Sequence, residues 1–576
     1  MTAIANPSPA RKRRFVPERL DVADFAQLQP LYQDLLDRPI DSPQALEKWL
    51  ADFSELSAVV DEYGSRRYID KSCHTDDPQI EKAYFHFVEN IEPKIKPLFF
   101  QLQKKLLASP HLASLTDPRY RILERNWRAD VEIFRDENVP LETEITKLVT
   151  DYDKTMGAMV VEFRGKKYTL QQLGRFIEEP DRQTRQEAWE LMTRRRLQDR
   201  ERIDRLFEQI LPLRAKVATN AGFSDYRAYT WKNYRRFDYT PADCLVFAES
   251  IEKSVVPLVR EQDLRRRETM GLDRLRPWDL SVDPKHRPPL RPFAEDQVPL
   301  FVDKVREIFQ RLSPQLAEQF DTLRQRNNLD LASRPGKQPG GYQCSLEESG
   351  EPFIFMNAAG VQRDVETLLH EGGHAFHCLA ARDEPLVFLR HAPMEFCEVA
   401  SMAMEAFAAD HYDVFYSPAD AARAKRSYFE GIIRLLPWIA TIDLFQHWIY
   451  THPNHTRQER TAYWLELMQR FGSDVVDWSG YEDALEAQWQ RQGHLFHAPF
   501  YYIEYGIAQL GALQLWMKSR HDPRQALAHY RAALRLGGTR PLPELFAAAG
   551  IKFDFSPRTI GPLIDAVGEE LAALPD

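Results

Sequence analysis

Apolar residues recur at the period of an α-helix through most of this chain, and that repeat limits the possible fold more than any other feature. From about Leu20 to Leu331, loops apart, stripes such as Ile203, Leu206, Phe207, Ile210 and Leu211 fall on one helical face and are expected to pack as core. The segment from Asp181 to Arg200, dense in Arg, Glu and Gln, is expected to form the solvated faces of long antiparallel helices. At 576 residues such a chain can bury a large core, and that length favours several subdomains over one compact layer. The fold class expected is mainly α.

Extended segments interrupt the helices at few places. Val160 to Phe163, then Arg164-Gly165-Lys166 and Tyr168, reads as a surface hairpin. Val282 to Pro292 and Pro335 to Gly341 read as irregular connections, the second separating two chemically different regions. After it, Tyr342 to Leu346 and Pro352 to Met356 flank the turn former Glu348-Ser349-Gly350 and are expected to pair as a hairpin. A long helical region follows, and the tail is punctuated by Gly537-Gly538 and Pro541. The chain has no internal repeat.

Composition removes several classes of function. With 43% hydrophobic and 28% charged residues the chain sits near the globular average. A net charge of -10 gives no reason to bind nucleic acid, and the basic run Arg11-Lys12-Arg13-Arg14 is expected to be a solvated tail. No apolar stretch has the length of a membrane span and none follows the basic run as in a signal peptide, so no membrane partner is expected. The cysteines Cys73, Cys244, Cys344, Cys378 and Cys397 are few and scattered, which does not describe a disulfide framework and fits a cytoplasmic location.

One short segment carries chemistry. His370 and His374 are four apart within an apolar pattern of Val365, Leu368, Leu369, Phe376 and Leu379, so both imidazoles project from one face of a buried helix. That spacing suits two ligands of a tetrahedral zinc ion with bonds of roughly 2.0 to 2.1 Å. Glu371 lies beside them, placed to act as general base toward a water polarised by the metal.

A catalytic zinc needs a third protein ligand and an open position. Glu398, in the apolar segment Met394 to Glu405, is the preferred candidate, with Glu395 as its competitor. Glu398 and Glu405 are seven apart and share a helical face, where two buried carboxylates demand a cation. Glu405, or Glu366 one turn before His370, could orient a ligating histidine. The extended pattern with a third histidine is excluded, because His377 and Ala380 stand where it requires Gly and His. His377 is expected to turn away from the metal, and Cys378 and Cys397 to be buried, inert thiols.

At these residues the chain resembles the thimet oligopeptidase and oligoendopeptidase F family, whose pattern is a His-Glu-x-Gly-His helix followed by a glutamate-bearing helix. The likeness extends over Gly350 to Asn357, Thr367 to His377 and Glu398-x6-Glu405, and looks most like the oligoendopeptidase F branch. The resemblance implies a two-lobed helical ellipsoid with a deep central substrate channel and a small β-sheet beside the zinc site. It also implies a segment of His, Tyr and Gly that donates hydrogen bonds to the oxyanion. By position Tyr505 and Tyr502 match the paired tyrosines and His494 the histidine, with His497 as the alternative. It further implies that Phe353, Ile354, Phe355, Met356 and Asn357 form an edge strand beside the bound peptide backbone.

The expected organisation is a flexible tail over 1–18, a helical lobe over 19–210 and a catalytic region over 211–576, with the zinc site within 340–513. The expected function is zinc-dependent hydrolysis of internal bonds in short unfolded peptides, with one Zn2+ per chain and Glu371 as base. A peptidyl-dipeptidase or carboxypeptidase, and a non-catalytic peptide-binding protein, are the competing readings. The first would need a fixed cation for the substrate's terminal carboxylate, and the intact Glu371 argues against the second.

Overall fold

The computed structural model describes residues 13–294, 296–334, 336–338 and 340–575. It is mainly α-helical, and the described strands form one two-stranded and one three-stranded sheet. Residues 1–12, which hold most of the expected tail and Arg11 and Lys12, lie outside the described residues, as do Pro335 and Pro339. Arg13 is not solvated as expected: its guanidinium pairs with Glu348, with Nε 2.6 Å from Oε1.

The helices that build the site are α1 (Pro43–Cys73), α2 (Arg200–Asn220), α3 (Pro241–Ser254), α4 (Gln362–Ala381), α5 (Met394–Ala408), α6 (Pro418–Thr451) and α7 (Ile503–His521). The strands are β1 (Val160–Phe163), β2 (Lys166–Thr169), β3 (Leu329–Ala332), β4 (Tyr342–Leu346) and β5 (Glu351–Ala358). Helix α1 starts where Ser42 accepts the Ala45 N–H and Pro43 occupies the first turn, a position that needs no amide proton.

Two large apolar cores form. The smaller runs from Val16 to Trp127 around Trp49 and Phe53, and is closed by Leu386 and Leu389 from the link between α4 and α5. The larger gathers residues from Leu148 to Leu571. The N-terminal helices thus rest on the segment joining two site helices, where Ser54 Oγ donates to the Pro385 carbonyl at 3.0 Å. A boundary at residue 210 runs through α2, whose Ile203, Leu206, Phe207 and Ile210 are buried in the larger core. The Arg-rich segment before α2 is not wholly solvated either. Arg185 is fully buried and donates to Asp279, because two helix-flanking carbonyls and that carboxylate satisfy its fork.

The first hairpin forms as its sequence indicates, with Arg164 and Gly165 both at positive φ, the conformation of a tight two-residue turn. The second, β4 with β5, is antiparallel, and β3 adds to β5 in parallel, giving the order β3-β5-β4. Among the described residues no helix is long and apolar enough to cross a membrane.

Candidate active site

Helix α4 begins where the Asp364 carboxylate accepts the N–H groups of Ala359 and Val361, which fixes its first turn. Val365, Leu368, Leu369, Ala375 and Phe376 bury its apolar face. The opposite face carries His370 and His374, with ring centroids 4.9 Å apart. Helix α5 is apolar nearly all round and buried, so its polar residues Glu395, Glu398, Ser401 and Glu405 must find partners inside the protein.

The motif's second glycine sets how close α4 and α5 come. A Cβ at Gly373 would lie 2.5 Å from the Ala400 carbonyl oxygen and 2.6 Å from Ser401 Cα, both main-chain atoms. Only glycine permits that crossing, and the crossing brings Glu398 over the histidines. Glu398 Oε2 lies 3.4 Å from His370 Nε2 and 3.6 Å from His374 Nε2. A tetrahedral ion with bonds near 2.0 to 2.1 Å separates its donors by about 3.4 Å, so these three atoms fit one small divalent cation.

The electrostatics fit the same ion. Burial lowers both histidines, but only His370 hydrogen-bonds Glu398 and Glu405, and those carboxylates raise it well above its usual value while His374 falls to about 4. Burial would raise Glu398, yet the imidazoles and Ser401 hold it down to about 2. A shared proton is the metal-free substitute for a cation in such a cluster. Glu405 Oε1 sits 2.6 Å from His370 Nδ1 and leaves Nε2 free to ligate. Burial pushes the Glu371 carboxyl up to about 7, in the range suited to exchanging protons near neutral pH.

Glu366 does not reach either histidine: its carboxylate takes Arg363 at 3.1 Å and Gln362 at 3.4 Å. Glu405 from α5 meets His370 Nδ1 instead. Glu395 points away from the histidines and accepts from the Tyr239 hydroxyl at 2.7 Å. His377 is buried on another side of α4, where burial drives it down to about 3. All five cysteines are free, and burial raises Cys378 to about 12 and Cys397 further.

The tyrosine segment approaches from the start of α7. Phe500, just before it, has φ of 67°, and this strained residue is held on both sides: Gln446 Oε1 accepts its N–H and Arg236 Nη2 donates to its carbonyl, each at 2.6 Å. Tyr501 and Tyr505, four residues apart, then face the histidine cluster, and the Tyr501 hydroxyl lies 3.3 Å from Glu398 Oε1. Burial and Glu398 raise both phenols, so they stay protonated and able to donate.

Tyr502, expected to act, does not line this space: just before the first turn of α7 it lies toward Trp438 and Arg491. Tyr501 is the residue that sequence reading passed over, although its i, i+4 relation to Tyr505 was available. His494 packs on the cluster, with its ring centroid 5.8 Å from that of Tyr505, and burial lowers it. His497 lies elsewhere, its Nε2 2.6 Å from Asp153 Oδ1.

These groups open onto a cavity of about 990 Å³ whose far wall is α1, from Val60 to Tyr68. Its sheet edge is β4, through Gly341 to Ser345. The expected edge strand, Phe353 to Asn357, is instead central: β3 pairs with one side of β5 and β4 with the other, so its main chain is already hydrogen-bonded. The short β3, Leu-Asp-Leu-Ala, displaces it from the edge.

Known proteins resemble this chain in sequence and in fold. The profile described as "Peptidase family M3" matches residues 175–559, and that of its N-terminal domain matches residues 15–134. An oligoendopeptidase F homolog of Borreliella burgdorferi is 22% identical over 38% of this chain and 37% of its own, and one from Mycoplasma pneumoniae 22% identical over 50% and 49%. The chain thus spans less than half the length of these two relatives in the matched stretches. Among solved structures, one described as an oligoendopeptidase F superimposes with TM-score 0.89 at 27% identity, covering 97% of this chain and 99% of that one. PZ peptidase A with an inhibitor gives TM-score 0.89 at 26% identity, with coverage of 97% and 99%.

Proposed function

Because this chain belongs to Peptidase family M3, we propose that it is a zinc-dependent endopeptidase acting on internal bonds of short, unfolded peptides. The observation that carries this reading is the convergence of His370 Nε2, His374 Nε2 and Glu398 Oε2, with Glu371 beside them, on one cavity.

His370, His374 and Glu398 would hold the ion, and Glu405 fixes the His370 ring. The metal, when bound, supplies Lewis acidity toward water and the scissile carbonyl. Glu371 takes a proton from the attacking water and passes it to the departing amine, so one carboxyl serves both proton transfers. Tyr505, and Tyr501 beside it, donate to the oxyanion as charge develops; His494 supports them. The unpaired side of β4 pairs with the peptide main chain, which gives affinity tolerant of sequence.

The cavity wall favours internal cleavage over removal of C-terminal residues. It carries Asp61, Glu92 and Glu347, and its described lining contains neither Lys nor Arg. In the adjoining recess, Arg390 already donates to the Glu347 and Glu384 carbonyls. The described wall thus offers no guanidinium or ammonium for a terminal carboxylate, and its His391 is already paired with Glu347, Nε2 lying 2.6 Å from Oε1. Digestion of a mixed peptide library with free and amidated C-termini, with and without chelator, tests the proposal. Internal products that survive amidation and vanish with chelator are expected, and loss of cleavage on amidation would overturn it. Glu371→Gln should keep the metal and lose turnover.

A further inference from the structure

Cys244, Asp443 and His447 form a second cluster of metal-ligating side chains, and it shares no residue with the site described above. Asp443 and His447 lie one turn apart on α6, and Cys244 faces them from α3. Their ligand atoms all lie within 4.8 Å of one another, and His447 Nε2 is 3.2 Å from Asp443 Oδ2. From these positions we infer that the three residues bind one divalent transition-metal ion of the zinc type, in a buried site away from the candidate active site.

Burial makes the case. Cys244 is 0% exposed, Asp443 1% and His447 4%. Neither carboxylate oxygen of Asp443 has a hydrogen-bond donor, and His447 Nε2 has no hydrogen-bond partner of acceptable geometry. A sealed carboxylate with two orphan oxygens is costly unless a cation meets it. The neighbouring buried cation, Arg236, makes no hydrogen bond to it: its Nη2 donates to Glu504 and the Phe500 carbonyl, and its Nε and Nη1 have no hydrogen-bond partner. A thiolate, a carboxylate and a neutral imidazole give a charge of about -2, which one divalent ion neutralises, and soft sulfur with nitrogen and oxygen is a donor set that suits zinc. Binding releases the thiol proton to solvent as the Cys244 sulfur–metal bond forms.

The competing reading is a plain His–Asp contact. Arg227 Nη1 lies 3.5 Å from His447 Nδ1, which suits a proton on Nε2 facing Asp443. An ion on Nε2 places that proton on Nδ1 and requires the half-buried Arg227 to withdraw. The two readings differ in what sulfur does, because only the metal site engages Cys244.

Full-length protein produced in cobalt-supplemented medium separates them, since loading a sealed site needs the metal present during folding. Two cobalt ions per chain are expected, with a near-ultraviolet thiolate-to-cobalt charge-transfer band. The candidate active site has no thiolate ligand, so His370→Ala/His374→Ala should drop the count to one and keep the band. Cys244→Ser should also drop it to one, remove the band and leave peptide hydrolysis. If Cys244→Ser fails to fold, the band in the histidine double variant decides alone. Absence of the band in both the wild type and that double variant, or its persistence in Cys244→Ser, overturns the assignment. A wild type that shows the band but hydrolyses no peptide would count against the active-site reading only.

Discussion

His370 Nδ1 and Glu405 Oε1 lie 2.6 Å apart across two helices, although 35 residues separate them in the chain. The contact fixes the ring so that Nε2 faces Glu398, and it places a second carboxylate behind a proposed metal ligand.

Replacing Glu405 by Gln removes that charge while keeping the shape. Zinc affinity should fall by about 10- to 100-fold, the usual cost of losing such a partner. Competition with a chromophoric chelator measures it, and an unchanged dissociation constant would show that Glu405 is only packing.

Gly373→Ala forces a Cβ against the Ala400 and Ser401 main chain. We expect a loss of about 1 to 3 kcal/mol in stability from overpacking, together with a lower zinc content as Glu398 is pushed off the histidines. Gly431→Ala in α6, where nothing lies within 4 Å, is the control and should stabilise by roughly 0.5 to 1 kcal/mol. Urea midpoints and metal per chain read both. Equal behaviour of the two variants would contradict the close-crossing argument.

Three phenylalanine substitutions separate the tyrosines. Tyr505→Phe should lower kcat by about 100- to 1000-fold with little change in KM, as expected for a donor used at the oxyanion. Tyr501→Phe should also lower kcat. Tyr502→Phe, whose ring faces Trp438, should stay within a few-fold of the parent. A large kcat loss confined to Tyr502→Phe would reverse the assignment made from the cavity wall.

Beneath β5, Lys337 Nζ donates to the Met356 carbonyl at 2.5 Å and to Asp330 Oδ1 at 2.8 Å, with its side chain fully buried. Burial opposes charge on both partners and lowers Lys337, but Arg334 and Lys337 together hold the Asp330 carboxyl far below its usual range. Two cations touch the carboxylate. Its folded pKa is depressed, so its contribution is present above the unfolded value of about 3.9 and is lost as pH falls toward the folded one. Asp330→Asn should cost about 3 to 5 kcal/mol at pH 7 by stranding Lys337, and the gap from wild type should narrow below about pH 4. Urea titrations at both pH values check this; a gap that widens in acid would refute it.

Much of the fold was readable because it is local. The stripe Ile203, Leu206, Phe207 and Ile210 depends on the helical period alone, and the turn at Arg164-Gly165 on backbone sterics. Arg185 reads as solvated in sequence because its partner Asp279 lies 94 residues away. Glu366 and Glu405 were indistinguishable for a similar reason: each had a plausible helical offset, and only the crossing of α4 and α5 put one within reach of His370.

The sequence by itself determined that His370 and His374 share a helical face with Glu371 beside them, since a spacing of four fixes that geometry wherever the helix lies. Tertiary structure decided what joins them. The glycine-permitted approach of α5 delivered Glu398, the clamp on Phe500 aimed Tyr501 and Tyr505 rather than Tyr502, and the added strand β3 moved the open sheet edge from β5 to β4. Each depends on contacts between segments far apart in the chain, where helix rotation and strand order are set by packing and not by any local period.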